Sequence, residues 1–256
     1  MSYPQDWTPA ADLLADRVIL VTGASEGIGR CAALTFAAHG ATVIAVARTV
    51  ARLESLYDEI VAAGHPEPVI QGVDLTGLSM NDCRQLADAM GEAFGRVDAV
   101  LHNGGLLGDR VPLDRFDPET WRRVMAANLD ACFLLTQALF PWLEHGTDPR
   151  VIFTTSGAGI RPRAYWGAYS VSKAGIEALM RVFADENEHV ARTAFASLNP
   201  GGTRTSMRAA AVPGEDAMTL PAPEDLMPFY LWVFGAASKA ELNGHTLDAR
   251  AALGIT

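Results

Sequence analysis

Cysteine, lysine and clustered metal ligands are what this 256-residue chain has least of. Cys31, Cys83 and Cys132 are odd in number, widely spaced and outside any Cys-x-x-Cys. That pattern argues against a disulfide framework and a zinc site, and it fits a reducing cytoplasm. Acids and a histidine meet at Asp185-Glu-Asn-Glu-His189 without the His-Glu-x-x-His spacing of a metal helix, so this run reads as a solvated helix end and no metal is expected. No signal-peptide core and no membrane-spanning run stands out along the chain. A basic surplus is missing too: the formal charge is −10 and the pI about 5.0, which argues against a nucleic-acid or anionic-membrane partner and leaves small molecules.

What is present is an alternation. Short Val/Ile-rich runs at 17–22, 41–47, 68–73, 97–102, 149–155 and 192–198 are separated by longer amphipathic stretches. Strands buried on both faces and joined by crossover helices produce this pattern, so the expected fold is α/β, a doubly wound parallel sheet of Rossmann type with helices on both faces. No repeat or linker divides the chain, and 49% hydrophobic residues suffices for one large core. The expected organisation is a loose N-terminal arm over 1–16 and a single dinucleotide-binding and catalytic domain over 17–256. Asp117-Pro-Glu119 supplies an N-cap, a first-turn proline and an acid ahead of a helix over 121–140, with Pro141 near its end.

The first strand runs directly into Gly23-Ala-Ser-Glu-Gly27-Ile-Gly29 and then a helical run to His39. Glycines at a strand-to-helix turn let the backbone bend tightly and approach a pyrophosphate, which the free N–H groups of the helix start stabilise. A P-loop is disfavoured, because Arg30 and Cys31 follow where Lys and Ser/Thr would stand. About twenty residues on, where an acid would bind an NAD ribose, the second strand ends in Ala47-Arg48-Thr49. An arginine there favours a 2′-phosphate, so NADP(H) is expected over NAD(H), which is not excluded; Glu26, inside the turn, opposes that preference.

A third stretch, Val151-Ile-Phe-Thr-Thr-Ser156, reads as a buried strand ending in hydroxyls. Tyr169 follows, and Lys173 comes one helical turn later, at the spacing that puts a phenol and an ammonium on one helix face. A free tyrosine, with a pKa of about 10, is a poor proton catalyst at neutral pH unless a nearby cation favours its phenolate. The chain has eighteen arginines but only two lysines, Lys173 and Lys239, so the coincidence carries weight even though Tyr-x-x-x-Lys alone is ordinary helix-surface spacing.

Together these residues resemble the short-chain dehydrogenase/reductase family, over nearly the whole chain from Arg17 to about Asp248, and more closely its YciK-like bacterial oxidoreductases. Thr22-Gly-Ala-Ser-Glu-Gly-Ile-Gly29 looks like the family's cofactor turn, Asp74-Leu75 like its adenine-side pair and His102-Asn-Gly-Gly105 like its Asn-Asn-Ala-Gly segment. Asn128, Ser156, Tyr169 and Lys173 match its catalytic tetrad in order, and Pro200-Gly-Gly-Thr-Arg-Thr205 its nicotinamide-side segment. The resemblance implies about seven strands and hydride exchange between nicotinamide and a carbonyl or carbinol carbon. Tyr169 would be the acid or base, Ser156 would hold the substrate oxygen, Lys173 would hold the ribose and favour the tyrosinate, and Asn128 would anchor a relaying water. The cofactor set it implies is Gly23, Ser25, Glu26, Gly27, Ile28, Gly29, Arg48, Asp74, Leu75, Asn103, Gly104, Gly105, Tyr169, Lys173, Pro200, Gly201, Thr203 and Thr205.

The resemblance also implies a homodimer or homotetramer, paired through helix 121–140 and the helix bearing Tyr169. Two departures stand out. His102 replaces an asparagine and Gly105 follows where alanine then glycine are expected, which would loosen the cofactor-side loop, and Ala249-Arg250 replaces a glycine pair near the final strand, which puts the oligomer contact made there in doubt. Substrate choice is expected in loops 106–116, 157–166 and 203–223, with 209–223 as a mobile lid. Leu106, Leu107, Tyr165, Trp166 and Met207 suggest an apolar pocket, whereas Arg161, Arg163, Arg204 and Arg208 would admit an acid. The competing reading is a catalytically silent dinucleotide-binding sensor or scaffold, which would need no Ser156. Enoyl reduction is disfavoured, because that branch spaces its tyrosine and lysine more widely.

Overall fold

The computed structural model describes residues 3–255. The apolar runs form seven strands: β1 (Val18–Thr22), β2 (Thr42–Ala47), β3 (Val69–Gly72), β4 (Ala99–His102), β5 (Arg150–Thr154), β6 (Ala194–Asn199) and β7 (Thr246–Asp248). They make one sheet in the order β3-β2-β1-β4-β5-β6-β7, with every neighbouring pair parallel. The connection direction reverses between β1 and β4. In such sheets ligands collect at the carboxyl ends of the strands beside that reversal, because the crossovers leave in opposite directions and open a crevice.

Helices cover both faces. The first are α1 (Gly27–Ala38), α2 (Val50–Ala62), α3 (Met80–Phe94), α4 (Pro118–Met125) and α5 (Ala131–Leu143). The short α6 (Gly157–Ile160) and the long α7 (Gly167–Glu186) follow, then α8 (Ser206–Ala211), α9 (Met227–Leu231), α10 (Lys239–Leu242) and α11 (Ala249–Leu253). Strand alternation divides the core in two. Ile19, Val21, Val43, Leu101 and Ile152 pack with Phe36 of α1 and Phe229 and Tyr230 of α9. Val18, Leu20, Ile44, Val100 and Phe153 pack with Cys83 of α3, Leu139 of α5 and Met180 of α7. Successive side chains of a strand point to opposite faces, so a continuous Val/Ile run serves both layers.

The helix expected over 121–140 is longer and interrupted. Asp117 caps α4 by accepting a hydrogen bond from Thr120 N at 2.7 Å. A single π turn, Ala126–Asp130, then joins α4 to α5, and Pro141 lies inside α5 rather than ending it. The stretch Pro118–Leu143 is long and apolar enough to cross a membrane, contrary to the sequence reading; here Leu135, Leu139 and Leu143 pack beneath the sheet.

The N-terminal arm is not loose where it is described. Tyr3 is buried, with its ring edge-on to Phe229 and Trp232 at centroid distances of 5.6 and 5.9 Å. Leu14 N donates to His39 O at 2.9 Å, fastening the arm beside α1. At the amino end of β5, away from the cleft, Arg150 is buried and donates to Val233 O at 2.6 Å and Ala237 O at 3.1 Å, satisfying carbonyls in and just after a second π turn, Trp232–Ala236. Burial lowers that guanidinium to about 10, still charged at neutral pH.

Candidate active site

The cleft lies over the carboxyl ends of β1, β4, β5 and β6. Its floor begins with the glycine turn. Gly23 has φ +68°, and a Cβ there would stand 2.7 Å from Gly104 Cα; a Cβ on Gly29 would stand 2.3 Å from Gly23 O. Side chains at either position would force the turn away from the loop after β4. That loop is tied down in turn by Thr22, whose buried Oγ1 accepts from Asn103 N at 3.1 Å and Gly104 N at 3.0 Å.

The N-cap of α1 is Glu26, yet its side chain caps nothing. Its carboxylate instead accepts a 2.6 Å hydrogen bond from Arg52 Nη1. The first N–H groups of α1 therefore lack a side-chain acceptor, which suits them to a diphosphate. Arg48, just after β2, and Arg52, in the first turn of α2, line the same end of the cleft. The sequence reading missed Arg52, although an arginine four residues after Arg48 was a usable signal. Its pairing offsets part of the Glu26 charge that would repel a 2′-phosphate. Beside Arg48, just after the neighbouring β3, Thr76 N donates to Asp74 Oδ1 at 3.0 Å and holds that carboxyl below the usual carboxylate range.

At the other end lie Ser156, Tyr169 and Lys173. Ser156 caps α6 by accepting from Ala158 N at 3.2 Å. Gly159 lets α6 press onto α7, since a Cβ there would meet Lys173 Cβ at 2.8 Å. Lys173 is buried, and its Nζ donates to Thr154 O at 2.7 Å and lies 5.8 Å from the Tyr169 ring centroid. The ammonium is thus held beside the phenol by the strand that also delivers Ser156.

Asn128 occupies the π turn and is buried. Its Oδ1 accepts from Leu106 N at 2.7 Å, and its Nδ2 donates to Leu106 O at 2.9 Å and Ser172 Oγ at 3.0 Å. Ser172 Oγ donates onward to Tyr169 O at 2.9 Å. The asparagine therefore stitches the loop after β4 to α7 between the tyrosine and the lysine. Extra residues in a helix commonly serve this purpose, turning one side chain out of register toward a site.

Of the residues expected to bind cofactor or catalyse, all but Gly29 and Asn128 line this one cleft; Gly29 supports Gly23 from beneath and Asn128 lies behind the wall. Leu106, Leu107, Trp166 and Met207 line it too, as expected for the substrate end, but Tyr165 does not. Arg161 and Arg163 are exposed and off the cleft wall, and Arg204 turns to Met218 Sδ at 3.2 Å, so these three do not offer the acid site that the sequence suggested. Arg250, in place of a glycine, packs over Gly201 and donates to Gly202 O at 3.2 Å, bracing the turn after β6.

His102 does not loosen its loop. The ring is buried, stacked on Phe153 at 5.0 Å, with Nε2 2.9 Å from Thr136 Oγ1 in a hydrogen bond whose direction follows the tautomer. Burial, with help from the Lys173 charge, pushes its pKa down to about 3. In the unfolded chain an imidazole titrates near 6.5, so between those values the unfolded state binds more protons and stability falls as pH falls. Replacing His102 with Asn is expected to flatten the acid limb of a stability-against-pH curve by up to about 1.4 kcal/mol per pH unit in that window. Identical acid limbs for the two proteins would contradict the burial of a neutral ring.

Comparison with known proteins adds relatives of the whole chain. A family model described as short chain dehydrogenase matches residues 17–216. The uncharacterized oxidoreductase YciK of Escherichia coli strain K12 is 45% identical over 244 residues, 95% of this chain and 96% of that one. A short chain dehydrogenase from Shigella flexneri 2a, crystallised with NADP, superposes with TM-score 0.90 at 45% identity, over 94% of this chain and 100% of its own. One from Escherichia coli CFT073, crystallised with NADPH, gives TM-score 0.91 at 46% identity with the same coverage of 94% and 100%.

Proposed function

This chain belongs to the short-chain dehydrogenase/reductase family, and from that premise we propose that it is an NADP(H)-dependent oxidoreductase interconverting a carbonyl and an alcohol. The observation that carries the reading is the placement of Lys173 Nζ, anchored on Thr154 O at 2.7 Å and 5.8 Å from the Tyr169 ring, at the edge of the cleft that the glycine turn opens. Binding of NADP and NADPH by the relatives from Shigella flexneri and Escherichia coli CFT073 supports the same cofactor here. So does Arg48 at one end of the cleft, a cation suited to a 2′-phosphate, with Arg52 beside it pairing the Glu26 carboxylate.

The bound nicotinamide would supply or accept the hydride. This chain's residues do the rest. Of the residues lining the cleft, Gly23, Ser25, Gly27 and Ile28 would hold the diphosphate through backbone and hydroxyl groups, Asp74 and Leu75 would border the adenine, and Asn103, Gly104 and Gly105 with Pro200, Gly201, Thr203 and Thr205 would enclose the opposite end. Ser156 Oγ donates to the substrate oxygen and stabilises its growing negative charge. Tyr169 OH gives that oxygen a proton in reduction and takes it back in oxidation, while the Lys173 ammonium favours the phenolate that forms. Asn128 keeps the wall and α7 in register, and by family analogy anchors a water that returns protons from solvent.

The exposed Phe133 of α5 and Val171 and Val182 of α7 form the face through which we propose a homodimer or homotetramer. The three free, buried cysteines suit a reducing cytoplasm. The function is tested by offering a panel of aldehydes, ketones and alcohols to the purified protein with NADPH or NADP. Turnover of at least one pair is expected; cofactor binding without turnover across the panel would favour the silent sensor instead.

A further inference from the structure

The far end of the cleft is walled by Leu106, Leu107, Trp166, Met207 and Ala211, with one charged side chain among them, Arg208. An unpaired arginine in such a wall would recruit an acidic substrate, since its planar fork matches a carboxylate. Here the fork is already filled. Arg208 Nε donates to Glu215 Oε2 and Nη2 to Glu215 Oε1, both at 2.6 Å, and both side chains are largely shielded at 30% and 25% exposure. The two residues come from one segment, Arg208 from α8 and Glu215 from the loop beyond it, so the pair is internal to the cover over the cleft.

The next cation, Arg110, is also engaged. Its guanidinium lies 4.5 Å from the Trp166 ring centroid and donates to Ala211 O, the carbonyl that ends α8. It therefore clasps two walls together rather than pointing a free charge inward.

We propose, building on the oxidoreductase reading above, that this end of the site selects uncharged carbonyl compounds carrying an apolar group and rejects carboxylates, because Glu215 occupies the anion-binding fork of Arg208. Glu215 acts as an internal stand-in for a substrate carboxylate. An acid entering the pocket would have to displace a bidentate partner held at short range and would leave Glu215 uncompensated beside it, a cost that a neutral ester or alkyl group does not meet.

The test uses carbonyl compounds in matched pairs, each offered as a methyl ester and as the free carboxylate, for example methyl 4-formylbenzoate with 4-formylbenzoate and methyl levulinate with levulinate. With NADPH saturating, the wild-type protein is expected to favour the ester by about tenfold or more in kcat/KM. Glu215→Gln keeps the shape and one hydrogen bond but frees the guanidinium charge. It is expected to raise the carboxylate-to-ester ratio by about tenfold, with the gain shrinking as salt is added, while NADPH affinity stays unchanged. A loosened cover alone would raise both partners of a pair together and leave the ratio where it was. Equal or better use of the carboxylate by the wild-type protein, or an unchanged ratio in Glu215→Gln, would overturn this inference and leave the oxidoreductase reading standing. Where neither series is accepted, the same ester and carboxylate pairing is made on a carbonyl compound that the wider panel shows to be turned over; failure to turn over any carbonyl compound of that panel, with NADPH bound, would overturn both.

Discussion

Replacing Tyr169 with Phe is expected to lower kcat for carbonyl reduction by about a thousandfold while NADPH affinity stays within a factor of about three. The substitution removes one oxygen. The ring is buried and tilted against Trp166 at a centroid distance of 5.8 Å, and phenylalanine fills the same space, so folding and the cleft wall should survive. What is lost is the only group in the proposed chemistry that hands a proton to the substrate oxygen. Steady-state kinetics together with a fluorescence titration of NADPH separates the two effects. Wild-type turnover in the variant would show that the proton comes from elsewhere. Loss of cofactor binding in parallel would make Tyr169 a structural support.

The second large effect is expected at Arg48. Arg48→Glu should lower the ratio of NADPH to NADH affinity by about a hundredfold, because a cation that attracts the 2′-phosphate becomes an anion that repels it, whereas NADH presents only a hydroxyl there. The pairing of Arg52 with Glu26 sharpens the expectation. Arg52 is already committed to a carboxylate, so it compensates poorly for the loss of Arg48. Titration of each cofactor against wild type and variant measures the ratio directly. An unchanged ratio would move phosphate recognition from Arg48 to Arg52 or to the backbone of the glycine turn.

How far the sequence alone leads depends on the range over which each feature is encoded. Five strands were legible because parallel strands buried on both faces must be apolar on both faces, as in Val18-Ile-Leu-Val and Val151-Ile-Phe, whereas the half-exposed edge strand β3 was marked by Val69-Ile70 and its place in the alternation. The three-residue β7 is too short to show such a run, and only its resemblance to a known final strand marked it. The glycine turn and the Tyr169–Lys173 pair were legible because their geometry is local, within one turn or one helix.

Features built from distant partners were not. Glu26 and Arg52 meet across 26 positions, and without that contact Glu26 looked like an obstacle to NADP. Arg208 looked free until its pairing with Glu215 was visible. The π turn that reorients Asn128 was not legible because Phe133, Leu134, Leu135, Leu139 and Phe140 leave so little polar face beyond it that the stretch reads as one continuous apolar helix. Tyr3 belongs to the core only because α9 and the π turn after it, more than two hundred residues later in the chain, offer Phe229 and Trp232.

The central claim is that this cleft passes a hydride between NADP(H) and a carbonyl carbon while Tyr169 handles the proton. Its most direct test is NADPH carrying deuterium at the transferable position, incubated with an accepted aldehyde or ketone, with the alcohol analysed by mass spectrometry. The account predicts one deuterium bound to the former carbonyl carbon in product made by the wild-type protein, and the same product formed about a thousandfold more slowly by Tyr169→Phe. Alcohol formed without deuterium, or formed equally by the variant, would contradict it.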